Sequence, residues 1–392
     1  MENSKMQSGA LYSSPTNPRR ILVRGVNWLG DAVMTTPALQ RLREAFPDAH
    51  IALLSHEKLA GLWQDYPHFN SLLTFASDQN IWQIARRLRS ENFDLGLIFP
   101  NSARAALEMC LAKIPQRIGA ARSWRNFFLT QKILPRAGEI KMRKRSVSEI
   151  KKLIAQPSKK SELFHFDAEL SGKAHHLHHY LHLVATLGAN PDPLRPSLEI
   201  SNQEVQLFKQ RFEILENETL LGLNPGAEYG PAKRWPAECF SAAAIEIQKK
   251  INCRWLIFGG ASDFNLAEKI AAEIRRSNLR QNPVLNLSGQ TTLRELGAAL
   301  KACAVLLTND SGPMHFAAAV GTRVVVPFGS TSPEMTGPGL PGEIQHHLIK
   351  SGAPCSPCFR RECPIDFRCM KGIEVRRVVE AVLQAVPLIK IL

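Results

Sequence analysis

Residues 304–331 read AVLLTNDSGPMHFAAAVGTRVVVPFGST, and this stretch decides the fold. Ala304–Leu307 is an unbroken apolar run of the kind a buried parallel strand requires. It stops at Thr308-Asn309-Asp310-Ser311-Gly312, and a helical stretch follows with Pro313 near its first turn. Asp310 or Ser311 is suited to cap that helix, and proline suits a position whose N–H has no partner within the helix. A second strand, Thr322–Pro327, and the turn Gly329-Ser330-Thr331 complete the unit. The polar loop thus falls at a strand's carboxyl end, where open α/β sheets bind ligands, and a glycine beside a helix N-terminus favours an anion such as a phosphate. An ordinary helix cap would use the same residues.

The alternation continues outward. Leu220–Asn224, Arg254–Phe258 and Val284–Leu287 read as strands, separated by helical stretches over Glu204–Leu215, Cys239–Lys249, Asp263–Ile274 and Leu293–Ala302. Nearer the start, Arg20–Arg24, His50–Ser55, Ser71–Phe75 and Asp94–Phe99 read as strands, with helical spacing over Ala32–Ala45, Glu57–Gln64 and Ile81–Arg89. Such alternation predicts parallel, doubly wound sheets. Gly188–Pro196 (GANPDPLRP) holds three prolines in nine residues and reads as a linker. The expected division is a disordered tail over 1–18, a first domain over 19–190, a linker over 191–200 and a second domain over 201–392, with a cleft between the two domains.

At 392 residues, 44% hydrophobic and 21% charged, the chain is long enough for two cores and is neither fibrous nor disordered. Met1–Pro18 is polar and no run reaches membrane-spanning length. The expectation is a cytoplasmic protein whose 8 cysteines are thiols or metal ligands rather than disulfides. Net charge is +14, and half of it falls between Arg136 and Lys160, where nine basic residues face only Glu139 and Glu149. This basic excursion, near 136–170, points to a polyanionic partner (nucleic acid, an anionic membrane face or a phosphorylated acceptor) or to a solvated loop. Few aromatics interleave the charges, which argues against a single-strand stacking platform.

Three polar loops follow predicted strands. Gly25-Val26-Asn27-Trp28-Leu29-Gly30-Asp31 is not a GxGxxG fingerprint and no acidic residue ends the second strand, which argues against a dinucleotide site. It offers a carboxylate, Asp31, at a helix start, which an N-cap would also explain. The loop Asn224–Pro236 brings Lys233 and Arg234, a point charge and a forked donor suited to a diphosphate, or two solvated cations. The third loop is Asn309–Gly312, with His315 one turn into its helix. Elsewhere, His175, His178, His179 and His182 share one helical face and could ligate a metal, although a polar helix face satisfies the pattern as well. Cys355, Cys358, Cys363 and Cys369 lie within fifteen residues, as candidate structural zinc ligands or as a packed, reduced loop.

The set RGVNWLGDAVMTTPAL, LNPGAEYGPAKRWP and TNDSGPMHFAAAVGTRVVVPFGSTSP, followed by CSPCFRREC, resembles the ADP-heptose:lipopolysaccharide heptosyltransferases of glycosyltransferase family 9, and among them the heptosyltransferase II branch. The resemblance runs from about Arg20 to Val375, with Glu139–Lys173 longer than the family's usual chain. It implies a GT-B fold, two Rossmann-like domains facing across a cleft, with the acceptor held by the first and the nucleotide-sugar by the second. By position, Asp31 matches the family's base and Lys233 a donor-phosphate residue. Asp310, Ser311, Gly312 and His315 match the donor loop, with Arg234 beside it. Asn27 and Gly30 belong to the acceptor-side loop. The resemblance further implies ADP-heptose as donor and a Kdo- and lipid A-based lipopolysaccharide acceptor at the anionic cytoplasmic face of the inner membrane, with no nucleic acid. No DxD-like carboxylate pair sits at a candidate loop, so metal-independent transfer without a cofactor is expected. The competing readings are a heptosyltransferase acting at another core position and a non-catalytic basic module that binds membrane or nucleic acid.

Overall fold

The computed structural model describes residues 18–155, 174–277, 283–340 and 342–387. The expected tail, apart from Pro18, and residues 156–173 of the excursion lie outside them.

The first lobe runs β1 (Arg20–Arg24), α1 (Leu29–Met34), α2 (Thr36–Ala45), β2 (His50–His56), β3 (Ser71–Phe75), α3 (Ile81–Ser90), β4 (Leu95–Ile98), α4 (Ala103–Leu111), β5 (Gln116–Ala120), β6 (Gln131–Ile133), α5 (Val147–Ala155) and α6 (Leu177–Ala185). The second runs α7 (Asn202–Arg211), β7 (Leu220–Asn224), α8 (Ala237–Gln248), β8 (Arg254–Ile257), α9 (Phe264–Arg276), β9 (Val284–Asn286), α10 (Leu293–Ala302), β10 (Val305–Thr308), α11 (Gly312–Ala319), β11 (Arg323–Phe328), α12 (Pro333–Thr336), β12 (His347–Lys350), α13 (Arg368–Lys371) and α14 (Val375–Ala385). The two six-stranded sheets have orders β3-β2-β1-β4-β5-β6 and β12-β11-β10-β7-β8-β9. Read from opposite edges these are one topology used twice. Every pairing described is parallel. The doubly wound α/β expectation therefore holds in both halves.

Because side chains alternate across a strand, each sheet has two apolar faces to cover. On β1, Leu22 faces an outer cluster with Leu54, Ile84 and Met109, while Ile21 and Val23 face inward. On β10, Val305 and Leu307 join the second lobe's outer cluster, while Leu306 faces inward. The two inward faces belong to one continuous apolar cluster that includes Val23, Leu53, Leu198, Ile200, Leu306 and Phe316. The last residues of the expected linker are thus core: Leu198 and Ile200 are buried, and the Leu198 N–H donates to the Ala319 carbonyl at 3.1 Å.

Three further expectations are corrected. The predicted helix Ala32–Ala45 is two helices that meet at Thr35. Pro37 has no N–H to offer the Val33 carbonyl, which accepts from the Thr36 hydroxyl at 2.8 Å instead. The basic excursion is also not confined to the first domain. Its Arg145 is buried, the Arg145 N–H donates to the Cys358 carbonyl at 3.0 Å, and Ile150 packs with Cys355 and Cys358 of the second lobe. The four histidines, finally, do not share one helical face: the helix begins at Leu177, so the buried His175 precedes it, and burial depresses His175 to about 4 and, on the helix, His179 to about 3.

Candidate active site

Both sheets reverse strand order beside their first strand, at β1/β4 and at β7/β10, and a crevice opens beyond the carboxyl ends at such a point. The loop after β1 meets the loops after β7 and β10 across a cavity of about 940 Å³. Gly30 and Asp31 line it from the first lobe; Lys233, Arg234, Asp310, Ser311, Gly312 and His315 line it from the second. Asn27 does not: it is exposed, and its Oδ1 accepts from Arg24 Nη1 at 3.3 Å.

The first loop is anchored from below. Arg24 and Glu108 form a buried ion pair at 2.8 Å, the guanidinium lies 4.3 Å from the Phe75 ring centroid, and Arg24 Nη1 donates to the Gly25 carbonyl at 2.6 Å. A buried pair like this fixes geometry more than it adds stability. Above it α1 starts at Leu29 with Trp28 as its cap residue, so Asp31 sits inside the first turn and is not an N-cap. The Asp31 carboxyl is raised above the usual aspartate range. Burial is the main cause; His176 and Lys233 oppose it and Asp310 adds to it.

The second and third loops form one unit because β7 and β10 are neighbours. Asn309 Nδ2 donates to the Pro225 carbonyl at 2.7 Å and its Oδ1 accepts from the Trp235 N–H at 2.9 Å. Asn224 Nδ2 donates to Ser311 Oγ at 3.0 Å. This corrects the capping expectation: Ser311 occupies the cap position of α11, but its side chain caps nothing. Asp310 is also engaged elsewhere, with Lys233 Nζ at 2.7 Å from Oδ2 and Thr331 Oγ1 donating to the same oxygen at 2.5 Å. The N-terminus of α11, with Pro313 in its first turn, is left open toward the cavity, and such an end attracts anions.

Close approach of the lobes depends on two glycines. A Cβ on Gly312 would stand 2.8 Å from Leu29 Cβ, and one on Gly30 would stand 2.8 Å from His315 Cδ2. His315 is buried, and burial holds it neutral, near 3.

Several lining residues carry no local signal in the sequence. His176 and Arg361 arrive from distant segments. Gly259, Gly260 and Asp263 follow β8 in the same way as the three recognised loops, and the glycine pair at that strand's end was the available cue. The metal alternatives are not supported. Among the described residues no three His, Cys, Asp or Glu side chains are grouped to hold a metal ion. His175 Nε2 lies 2.9 Å from the Gly337 carbonyl and His182 Nε2 lies 3.0 Å from the Leu134 carbonyl. Of the four clustered cysteines, Cys363 Sγ accepts from the Phe367 N–H at 3.3 Å, and burial first, then its neighbouring thiols, pushes Cys369 up to about 12. This is a packed loop of free thiols, three of them buried.

The chain is 27% identical over 370 residues to lipooligosaccharide heptosyltransferase 2 of Campylobacter jejuni, covering 92% of this chain and 96% of that one. It is 28% identical over 327 residues to lipopolysaccharide heptosyltransferase 2 of Salmonella typhimurium, covering 81% and 85%. The fold is similar to the structure of Escherichia coli ADP-heptose LPS heptosyltransferase II, with a TM-score of 0.72, 23% identity, and coverage of 93% of this chain and 98% of that one. The model of glycosyltransferase family 9 (heptosyltransferase) matches residues 155–367, more than half of the chain, and on that ground the protein belongs to glycosyltransferase family 9, the heptosyltransferases.

Proposed function

We propose that the protein is an inverting transferase that moves L-glycero-D-manno-heptose from ADP-heptose to heptosyl-Kdo2-lipid A, in assembly of the lipopolysaccharide inner core. The observation that carries this reading is the arrangement of one cavity: a part-buried carboxylate on the first lobe, and cations with an open helix N-terminus on the second. The curated relatives' names supply the sugar and the acceptor class.

In this mechanism Asp31 takes the proton of the attacking acceptor hydroxyl as the new bond forms at the anomeric carbon. The bond from that carbon to the diphosphate oxygen breaks on the opposite face, and its electron pair leaves with ADP. Displacement from opposite faces gives inversion. Lys233, Arg234 and the N-terminus of α11 meet the charge that develops on the leaving group, and such preorganised groups act most strongly in the transition state. The chain's own cations do this work, so transfer proceeds without a metal ion.

The acceptor carries acidic sugars and phosphates on a membrane, which suits a protein of net charge +14. Among the described residues no helix is long and apolar enough to cross a membrane. Reversible binding to the anionic cytoplasmic leaflet, driven by exposed cations such as Lys144, completes the reading. Incubation with ADP-heptose and purified heptosyl-Kdo2-lipid A, in EDTA and with anionic vesicles, should add one heptose by mass. Rising salt should release the protein from the vesicles. No mass gain on this acceptor, with transfer to another core acceptor, would reassign the position. No transfer to any would overturn the reading.

A further inference from the structure

The loop that carries the four cysteines reaches the cavity through Arg361. We propose that Arg361 is a diphosphate-binding residue of the donor site, contacting the phosphate that bears the sugar. The inference rests on the reading above that the second lobe holds a nucleoside-diphosphate sugar.

The position of Arg361 is built rather than incidental. The Ala232 N–H donates to the Arg361 carbonyl at 2.9 Å, and the Tyr229 hydroxyl donates to the Phe359 carbonyl at 2.9 Å. Between these two bonds Gly230 has φ +148, and a Cβ there would stand 2.6 Å from the Arg361 carbonyl oxygen. Only glycine lets the Lys233 loop close on the cysteine loop in this way. The docking brings two cations to one ring: the Arg361 guanidinium carbon lies 5.2 Å from the Tyr229 centroid and Lys233 Nζ lies 4.9 Å from it.

Two cations gathered at one aromatic ring repel each other unless an anion joins them. Lys233 has Asp310 at 2.7 Å, and Arg234 Nη2 donates to the Ala227 carbonyl at 3.2 Å. Among the described residues, Arg361 has no carboxylate within ion-pair distance. It is the cation in this group whose forked donors remain to be matched, and a phosphate presents oxygens at the spacing a guanidinium fits. When the glycosidic bond breaks, its electron pair raises the negative charge on that phosphate by one. Arg361 then acts on the leaving group as well as on the bound donor.

The test compares Arg361→Gln, Arg361→Lys and the wild type, with Arg368→Gln as control. Arg368 opens α13 directly after this loop, pairs with Asp366 and does not line the cavity. ADP and AMP binding are measured by calorimetry, and melting temperature is recorded for each. Arg361→Gln should weaken ADP roughly ten- to a hundred-fold, the range for a hydrogen bond to a charged group. AMP, which lacks the second phosphate, should change little, Arg361→Lys should fall between, and Arg368→Gln should match the wild type. ADP binding by Arg361→Gln at wild-type strength, equal losses for ADP and AMP, or the same loss in Arg368→Gln would each overturn the inference while leaving the proposed function standing. A wild-type protein that binds no ADP would overturn both.

Discussion

Asp31 and Lys233 share the cavity, and their surroundings predict different consequences for their loss. Asp31→Asn keeps shape and removes the basic oxygen, so turnover should fall by roughly 10²–10⁴-fold with ADP affinity and melting temperature unchanged. Near-normal turnover would end the general-base assignment. On the proposed general-base role only the carboxylate form is active, so activity should decline on the acid side, around a midpoint above the ordinary aspartate value because burial raises it. Lys233→Ala behaves differently because Lys233 holds Asp310, both largely buried. Besides weaker donor binding it should cost roughly 3–5 kcal/mol of stability, the range for stranding a buried charge. Denaturant titration reads this directly, and Lys233→Ala/Asp310→Asn should recover much of it. If the single variant unfolds like the wild type, the ion pair contributes no stability. The candidates themselves were legible because three of them open helices or loops straight after apolar strands. The Lys233–Asp310 pairing was not, since 77 residues separate two loops that only strand order makes neighbours.

Elements show the same division between local and distant information. Strands Arg20–Arg24, Ser71–Phe75 and Leu220–Asn224 have the bounds that their apolar runs suggest. Helix Val375–Ala385 and strand Gln116–Ala120 were missed. In QRIGA, polar residues and a glycine dilute the apolar signal, and the strand is recognised only through its parallel register with β4 and β6. The contact of α1 with α11 makes a sharp prediction. Gly312→Val places branched carbon against Leu29, so it should lower the melting temperature and raise the KM for both substrates by prising the lobes apart. Unchanged KM values would show that the site tolerates the separation. A second element prediction concerns acid. Glu204 belongs to the capping box of α7 with Ser201, and Arg294 on α10 donates to it at 3.0 Å. Burial alone would raise this carboxylate, but the Arg294 and Ser201 bonds outweigh it and bring it to about 2. The depressed value means stability present above the unfolded carboxylate range and lost as pH falls from about 4.5 toward 2. After discounting for solvent, the loss is about 1 kcal/mol. Glu204→Gln should flatten acid unfolding over that interval, and an unaltered acid limb would exclude the pair as its cause.

For the whole molecule, composition and alternation carried the class and the two-fold division, but not how the halves join. The linker reading rested on three prolines in residues 188–196, which say nothing of how closely the halves pack. The buried Leu198 and Ile200 and the shared apolar cluster show a fused interior. Calorimetry should therefore give one cooperative transition with matching calorimetric and van't Hoff enthalpies. Two resolved peaks would mean that the inner cluster does not couple the lobes. The same cluster has a consequence for synthesis. The first lobe's inward face is covered by residues such as Leu306 and Phe316, which leave the ribosome long after β6 is complete. At ordinary elongation rates the nascent first lobe waits on the order of 10–30 s with that face open. Its newborn chain should therefore need chaperones, and the lobe expressed by itself should be recovered in aggregates.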